Sequence, residues 1–96
     1  PITVENIINE VSRTFNVSPA DIRSDKRNAN ISLARQVAIY IVHAITTLSL
    51  KAIGAEFGNK HYSTIIYSLK EIEDKLSENV QLKATVDDII KNINEE

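Results

Sequence analysis

The length, composition and charge of the chain indicate one small globular domain. The chain has 96 residues, of which 43% are apolar, and a formal net charge of -2. A chain of this size builds one hydrophobic core, so we interpret residues 1–96 as a single domain. The absence of Cys excludes thiolate metal sites, thiol catalysis and disulfide bonds.

The hydrophobic pattern predicts neither a membrane span nor a signal peptide. The longest apolar stretch runs from Val37 to Ile45 and is interrupted by His43, which leaves it well short of the ~20 residues that a span requires. The first ten residues have no basic start and carry Glu5 and Glu10, unlike a signal peptide. We therefore expect a cytoplasmic protein.

Basic residues are concentrated in the middle of the chain. Residues 22–70 hold seven Lys and Arg residues against two acids, so this part carries a charge of +5 and the flanks are acidic. This distribution is typical of a domain with one face that binds a polyanion. An ordinary solvated charge pattern is the alternative interpretation.

The first quarter of the chain predicts two helices. Apolar residues at helical spacing behind a Thr3 N-cap indicate a helix over residues 3–15, namely Val4, Ile7, Ile8, Val11 and Phe15. Ser18 and Pro19 then provide a cap and a first helical residue for a short second helix. We expect this helix to end near Arg23.

The next segment predicts a basic loop followed by a buried helix. Residues 24–30 are polar and include Lys26 and Arg27, so we expect an exposed loop. Residues 33–46 are rich in Val, Ile and Ala on most faces, which is typical of a helix enclosed by its neighbours. A β-strand is the competing interpretation, but the segment is longer than a typical strand.

The second half predicts three more helices, six in total. Ser49 caps a helix whose buried side is formed by Leu50, Ile53 and Phe57, and Gly54 permits another helix to approach closely. Helical spacing then indicates one helix on Ile65, Ile66, Leu69, Ile72 and Leu76, and another on Leu82, Val86, Ile89, Ile90 and Ile93, beginning near Asn79 or Thr85. The fold class is therefore all-α.

Residues 49–70 have the spacing of a helix-turn-helix. A short helix is followed by a turn containing Gly58 and by a longer helix, whose first turn is Lys60, His61, Tyr62, Ser63 and Thr64. In this motif the second helix lies in the major groove of DNA and its first side chains contact base edges. Hydroxyl, imidazole and phenol groups suit that position, because they donate and accept hydrogen bonds.

These residues resemble the C-terminal DNA-binding domain, domain IV, of the bacterial chromosomal replication initiator family DnaA. The resemblance spans nearly the whole chain and is carried by Ile2–Ile7, Ala34–Gln36, Ser49–Gly58, Lys60–Ile66 and Ser68–Ile72. It implies a six-helix domain with a helix-turn-helix and a basic loop, of the DnaA C-terminal or Trp-repressor-like type. It also implies double-stranded DNA at a replication origin as the partner, and a parent protein that self-associates on DNA.

The resemblance implies DNA contacts at matching positions. Arg27 matches an arginine that enters the A·T-rich minor groove, a use of arginine that groove potential favours. Contacts near the sugar-phosphate backbone are implied for Arg35, Gln36, Thr46, Thr47, Leu50 and Lys51. The major-groove set consists of Lys60, His61, Tyr62, Ser63 and Thr64.

The chain departs from the family pattern at the start of the second motif helix. The family has Asp-His before its Thr pair, whereas this chain has His61 and Tyr62 before Ser63 and Thr64. The acid that accepts from cytosine is therefore missing, and family base preference does not carry over to this chain. Without that Asp, we expect Asn59 or Ser63 to cap the helix. The loop region also carries less positive charge than in the family, which weakens phosphate attraction.

Other interpretations of single residues remain open at this point. Arg35 has an alternative partner in an acid such as Asp21, Arg27 has an alternative as a solvated charge, and His43 is interpreted as structural.

No Gly-rich phosphate loop, metal-ligand spacing or nucleophile–base pair is present in the sequence. We therefore expect no enzyme, cofactor or metal here, and the ATPase part of the parent lies outside this chain. The alternative function is a helical protein-interaction module that has kept the fold but no longer recognises a specific DNA sequence.

Overall fold

The computed structural model describes residues 2–95, which form six α-helices and no β-strand within that range. The helices are α1 (Val4–Phe15), α2 (Pro19–Ile22), α3 (Ala29–Ile45), α4 (Leu50–Glu56), α5 (Tyr62–Glu78) and α6 (Val80–Glu95). The all-α prediction with six helices is confirmed.

Three predicted N-caps are present and set the starts of α1, α2 and α4. The Thr3 side chain accepts a hydrogen bond from the Asn6 amide at 3.0 Å. Ser18 accepts from the Asp21 amide at 3.1 Å, with Pro19 as the first residue of α2. Ser49 accepts from the Ala52 amide at 3.1 Å. Each bond satisfies an amide that has no partner within its helix.

The central helix α3 starts at Ala29, four residues before the predicted start at residue 33. The prediction missed this first turn because it looks polar, yet Ile31 within it is buried and anchors it to the core. The β-strand interpretation is wrong. The basic loop is consequently shorter than predicted and spans residues 24–28.

The core of the domain surrounds α3. Eight residues of α3 are buried, and α1, α2, α4, α5 and α6 all pack against this helix. The fully enclosed side chains include Ile7, Ile22, Ile39, Ile53, Phe57, Ile65 and Ile72. A large buried aliphatic side chain contributes about 1.5–3 kcal/mol to folding, so this cluster holds the shorter helices in place.

Helices α5 and α6 are separated by one residue, Asn79, whose Oδ1 accepts from the Leu82 amide at 3.0 Å. The buried side of α5 consists of Ile65, Ser68, Ile72 and Leu76. Ile66, which the helical spacing grouped with Ile65 and Leu69, does not face the core, because its side chain is 42% exposed. Ile66 lies four residues after Tyr62 and shares its solvent-facing side of the helix.

None of the helices in residues 2–95 combines the length and the apolar character needed to cross a membrane.

Candidate nucleic-acid interface

The turn between α4 and α5 depends on two glycines. The Lys60 amide donates to the Gly54 carbonyl at 2.9 Å, which brings the end of the turn onto α4. A Cβ at Gly54 would overlap the carbonyl oxygen of Lys60. Gly58 has a φ of +81°, and a Cβ there would lie 2.6 Å from the carbonyl oxygen of Arg23. Gly54 was predicted to allow a close approach, and its close neighbour is this turn rather than another helix.

His61 caps α5, which corrects the prediction of Asn59 or Ser63 as the cap. The amide of Ser63 donates to Nδ1 of His61 at 3.1 Å, and Ser63 Oγ lies 2.8 Å from the same atom. Ser63 is therefore the donor of the capping bond. The rings of His61 and Tyr62 are in contact, with centroids 4.4 Å apart.

The solvent-facing side of α5 begins with the predicted major-groove residues. Tyr62, Ser63 and Thr64 are all exposed. The same side continues through Ile66, Tyr67 and Lys70, and Tyr67 is 62% exposed. Sequence reasoning missed Tyr67 and Ile66, although their spacing of four residues from Ser63 and Tyr62 could have identified them.

The basic loop is attached to the turn of the helix-turn-helix. Arg23 donates through Nη1 to the carbonyl of Glu56 at 2.6 Å. The Lys60 ammonium donates to the Ser24 carbonyl at 3.2 Å and the Phe57 carbonyl at 2.6 Å. It also forms an ion pair with Asp25 at 3.1 Å. These contacts join two segments that are more than 30 residues apart in sequence.

The position of Lys60 changes its predicted role. Its side chain is 12% exposed, and its ammonium bonds to two carbonyls and one carboxylate. A Lys ammonium has three N–H groups, so these partners occupy its donors. Lys60 therefore connects the loop to the turn, whereas the sequence interpretation placed it at the entry to the major groove.

Arg35 is buried under the basic loop, so its predicted backbone contact with DNA is corrected to a structural role. The residue is 8% exposed, and its guanidinium donates to the carbonyls of Ile22, Lys26 and Asp21 at 2.9–3.0 Å. Asp21 therefore does bond to Arg35, but through its backbone. Burial lowers the pKa of the Arg35 guanidinium, and the charges of Asp25 and Asp21 oppose that shift.

Arg27 from the loop and Thr64 from α5 line one open cavity of about 830 Å³. Lys60, Tyr67 and the small exposed part of Arg35 line it as well. Arg27 is exposed and has no ion pair among the residues that the structure describes. The loop and the start of α5 therefore lie on the same side of the molecule.

The other residues predicted to contact the sugar-phosphate backbone of DNA differ in their surroundings. The Gln36 side chain accepts from the Lys75 ammonium at 2.9 Å, so it connects α3 to α5. The Thr46 hydroxyl donates to the Val42 carbonyl at 2.6 Å and ends α3. Thr47 and Lys51 are exposed beside the start of α4, and Leu50 is half-buried against the core. Thr47 and Lys51 are consequently the exposed residues of this set.

The geometry contains no assembled metal site in the described range. Within residues 2–95, no group of three or more His, Cys, Asp or Glu side chains could hold a metal ion.

Comparison with known families identifies the helix-turn-helix. The family described as bacterial dnaA protein helix-turn-helix matches residues 4–72. This range includes the basic loop and the first eleven residues of α5.

Relatives with known names match over almost the entire chain. The chromosomal replication initiator protein DnaA of Citrifermentans bemidjiense is 42% identical over 96% of the chain. The corresponding proteins of Geobacter sulfurreducens and Streptococcus thermophilus are 41% and 39% identical over 96% and 92% of the chain. The chain spans about a fifth of the length of these relatives, 20%, 21% and 19% respectively.

A solved structure has the same fold. The crystal structure of a DNA replication initiation factor superposes with a TM-score of 0.83 at 29% identity, covering 94% of this chain and 27% of the other.

Proposed function

Because this chain belongs to the bacterial DnaA helix-turn-helix family, a DNA-binding and non-catalytic unit, we propose that it reads a replication-origin box in duplex DNA. DNA binding in replication initiation follows from the family. The sequence-specific reading of a box, and the contacts that achieve it, are the proposal.

The start of α5 enters the major groove in this proposal. His61, Tyr62, Ser63 and Thr64 are exposed there and offer donors, acceptors and apolar surface. A hydroxyl can bond a phosphate or a base edge, and a Thr methyl packs on the methyl group of thymine. Tyr67, one turn further along the exposed side, extends the contact toward the DNA backbone.

Arg27 enters the adjacent minor groove. Its charge is exposed and unpaired by any described acid, so no protein ion pair has to be broken when it binds. A·T-rich sequences narrow the minor groove and strengthen its negative potential, which attracts an inserted arginine. Lys51 and Thr47, which are exposed beside the start of α4, bind phosphates.

The single observation that carries this proposal is the cavity shared by Arg27 and the start of α5. The hydrogen bonds of Arg23 and Lys60 fix the loop to the turn. One rigid unit can therefore present a minor-groove arginine and a major-groove helix to one duplex, without ordering either element on binding.

Competition binding tests the sequence-reading claim. An origin-like box is expected to compete more than tenfold better than a scrambled duplex of equal length at physiological salt. Equal competition by the two duplexes would contradict the proposal and favour a helical interaction module instead.

The setting of the domain follows from the same proposal. It tethers a larger cytoplasmic protein to the origin, and that protein self-associates on DNA. The domain itself needs no cofactor, and the ATPase of the parent lies outside residues 1–96.

A further inference from the structure

His61 has an orientation that is set by its capping bond to α5. Nδ1 accepts a hydrogen bond from the backbone N–H of Ser63 at 3.1 Å, and Ser63 Oγ lies 2.8 Å from the same nitrogen. The Tyr62 ring is 4.4 Å from the imidazole, centroid to centroid, at an angle of 32°. The ring is thus held from two directions while the residue stays exposed.

The capping bond indicates which nitrogen of His61 carries the proton. A backbone N–H can only donate, so Nδ1 presents its lone pair when it accepts from Ser63. A neutral imidazole has one N–H and one bare nitrogen. The capping bond therefore assigns the proton of a neutral His61 to Nε2.

The surroundings of His61 remove one competing donor. His61 lines an open cavity of about 450 Å³ together with Lys51, Asn59, Lys60 and Tyr62. The Lys60 ammonium is already bonded to the carbonyls of Ser24 and Phe57. It is therefore not available to compete with His61 for an acceptor on a base.

We propose that His61 is a specificity-determining residue that discriminates guanine from cytosine through its Nε2–H. In the major groove guanine presents two acceptors, N7 and O6, adenine and thymine present one acceptor each, and cytosine presents only a donor, the N4 amino group. A single N–H therefore bonds guanine and opposes cytosine, where two donors would face each other. The inference rests on the proposed function, because it needs α5 to lie in the major groove.

Selection from a randomised duplex library tests the inference. The wild-type chain is expected to prefer guanine over cytosine by about tenfold at one box position, within the range of a single mismatch. His61→Asp keeps a good N-cap but offers only acceptors, so that position alone changes to cytosine. His61→Asn is the matched variant, since it caps equally well through its amide oxygen and keeps an N–H donor, so the preference for guanine over cytosine should persist.

The outcomes separate the two proposals. If the wild type and His61→Asp select the same base at every position, the His61 inference is overturned and the origin-box proposal stands. If the wild type selects no sequence at all, the origin-box proposal fails and the inference fails with it.

A measurement without DNA tests the tautomer directly. The imidazole nitrogens of His61 are expected to give the nuclear magnetic resonance pattern of a bare Nδ1 and a protonated Nε2. In Ser63→Pro, where the capping donor is absent, the two nitrogen shifts are expected to move toward the averaged values of a free imidazole that exchanges between its two tautomers. A wild-type pattern with the proton on Nδ1 would contradict the inference.

Discussion

At the scale of single residues, two cations predicted to bind DNA serve instead to hold the basic loop. Arg35 lies under the loop and donates to the carbonyl of Lys26 within it. It also donates to the carbonyls of Asp21 and Ile22, just before the loop. Lys60 fastens the loop to the turn. Under the proposed function both side chains support DNA binding, because they hold the loop that carries Arg27.

Arg35→Met tests this supporting role. The substitution leaves three carbonyls without their donor, and an unpaired buried polar group costs about 1–3 kcal/mol. We expect the free energy of unfolding, measured by urea denaturation, to fall by roughly 3 kcal/mol.

The matched control is Arg13→Met on α1, where the arginine is exposed and pairs with Glu10 one turn away. An ion pair of an exposed arginine contributes about 0–1 kcal/mol. Equal stability losses in the two variants would show that Arg35 has no special structural role.

The loss of Lys51 is expected to weaken binding to all duplexes alike. Lys51→Ala removes a phosphate contact, so all duplexes should bind more weakly to a similar degree and the salt slope should fall by about one. Titrations of boxed and scrambled duplex at several salt concentrations measure both quantities. Lys91→Ala on the exposed side of α6 is the control and should change neither. A loss confined to the boxed duplex would contradict the phosphate role of Lys51.

At the scale of helices and loops, the turn between α4 and α5 sets the geometry of the interface. Gly54 accepts from the Lys60 amide and has no room for a side chain. Gly58 combines a positive φ with close contact to Arg23. The turn and the loop are therefore packed against each other as one piece.

Gly54→Ala is expected to lower the free energy of unfolding by about 1–3 kcal/mol, because its methyl group would push the Lys60 carbonyl away. DNA affinity should fall as well, since α5 would change its angle to α4. Thermal unfolding and DNA titration measure the two effects. The control is Ala55→Gly on the exposed side of the same helix, which removes helix propensity worth about 1 kcal/mol. Unchanged stability in Gly54→Ala would refute the close packing.

Local signals explain which elements could be predicted from the sequence. Thr3, Ser18 and Ser49 act within three residues of themselves, so their caps are readable from neighbouring letters. The partners of Lys60 in the loop lie 35 or 36 residues away, and no local pattern encodes that distance. The first turn of α3 was missed for a similar reason, because Ile31 gains its burial only from other helices.

At the scale of the whole molecule, positive charge is concentrated in the middle of the chain. The net charge is -2, yet residues 22–70 carry seven basic residues and two acids. One of those acids, Asp25, is paired with Lys60, and the other, Glu56, lies near Arg23. The sequence could indicate a candidate site because its charges are clustered, whereas the distinction between exposed cations and cations that hold the loop required the fold.

The central claim is that the loop and α5 hold adjacent grooves of one duplex. Methylation interference tests it most directly, since a methyl group on guanine N7 blocks the major groove and one on adenine N3 blocks the minor groove. In one boxed duplex, the wild-type chain is expected to be blocked by both kinds of methyl group at neighbouring positions, and Arg27→Ala should lose only the adenine signal. Interference in a single groove, or an adenine signal that persists in Arg27→Ala, would contradict the account.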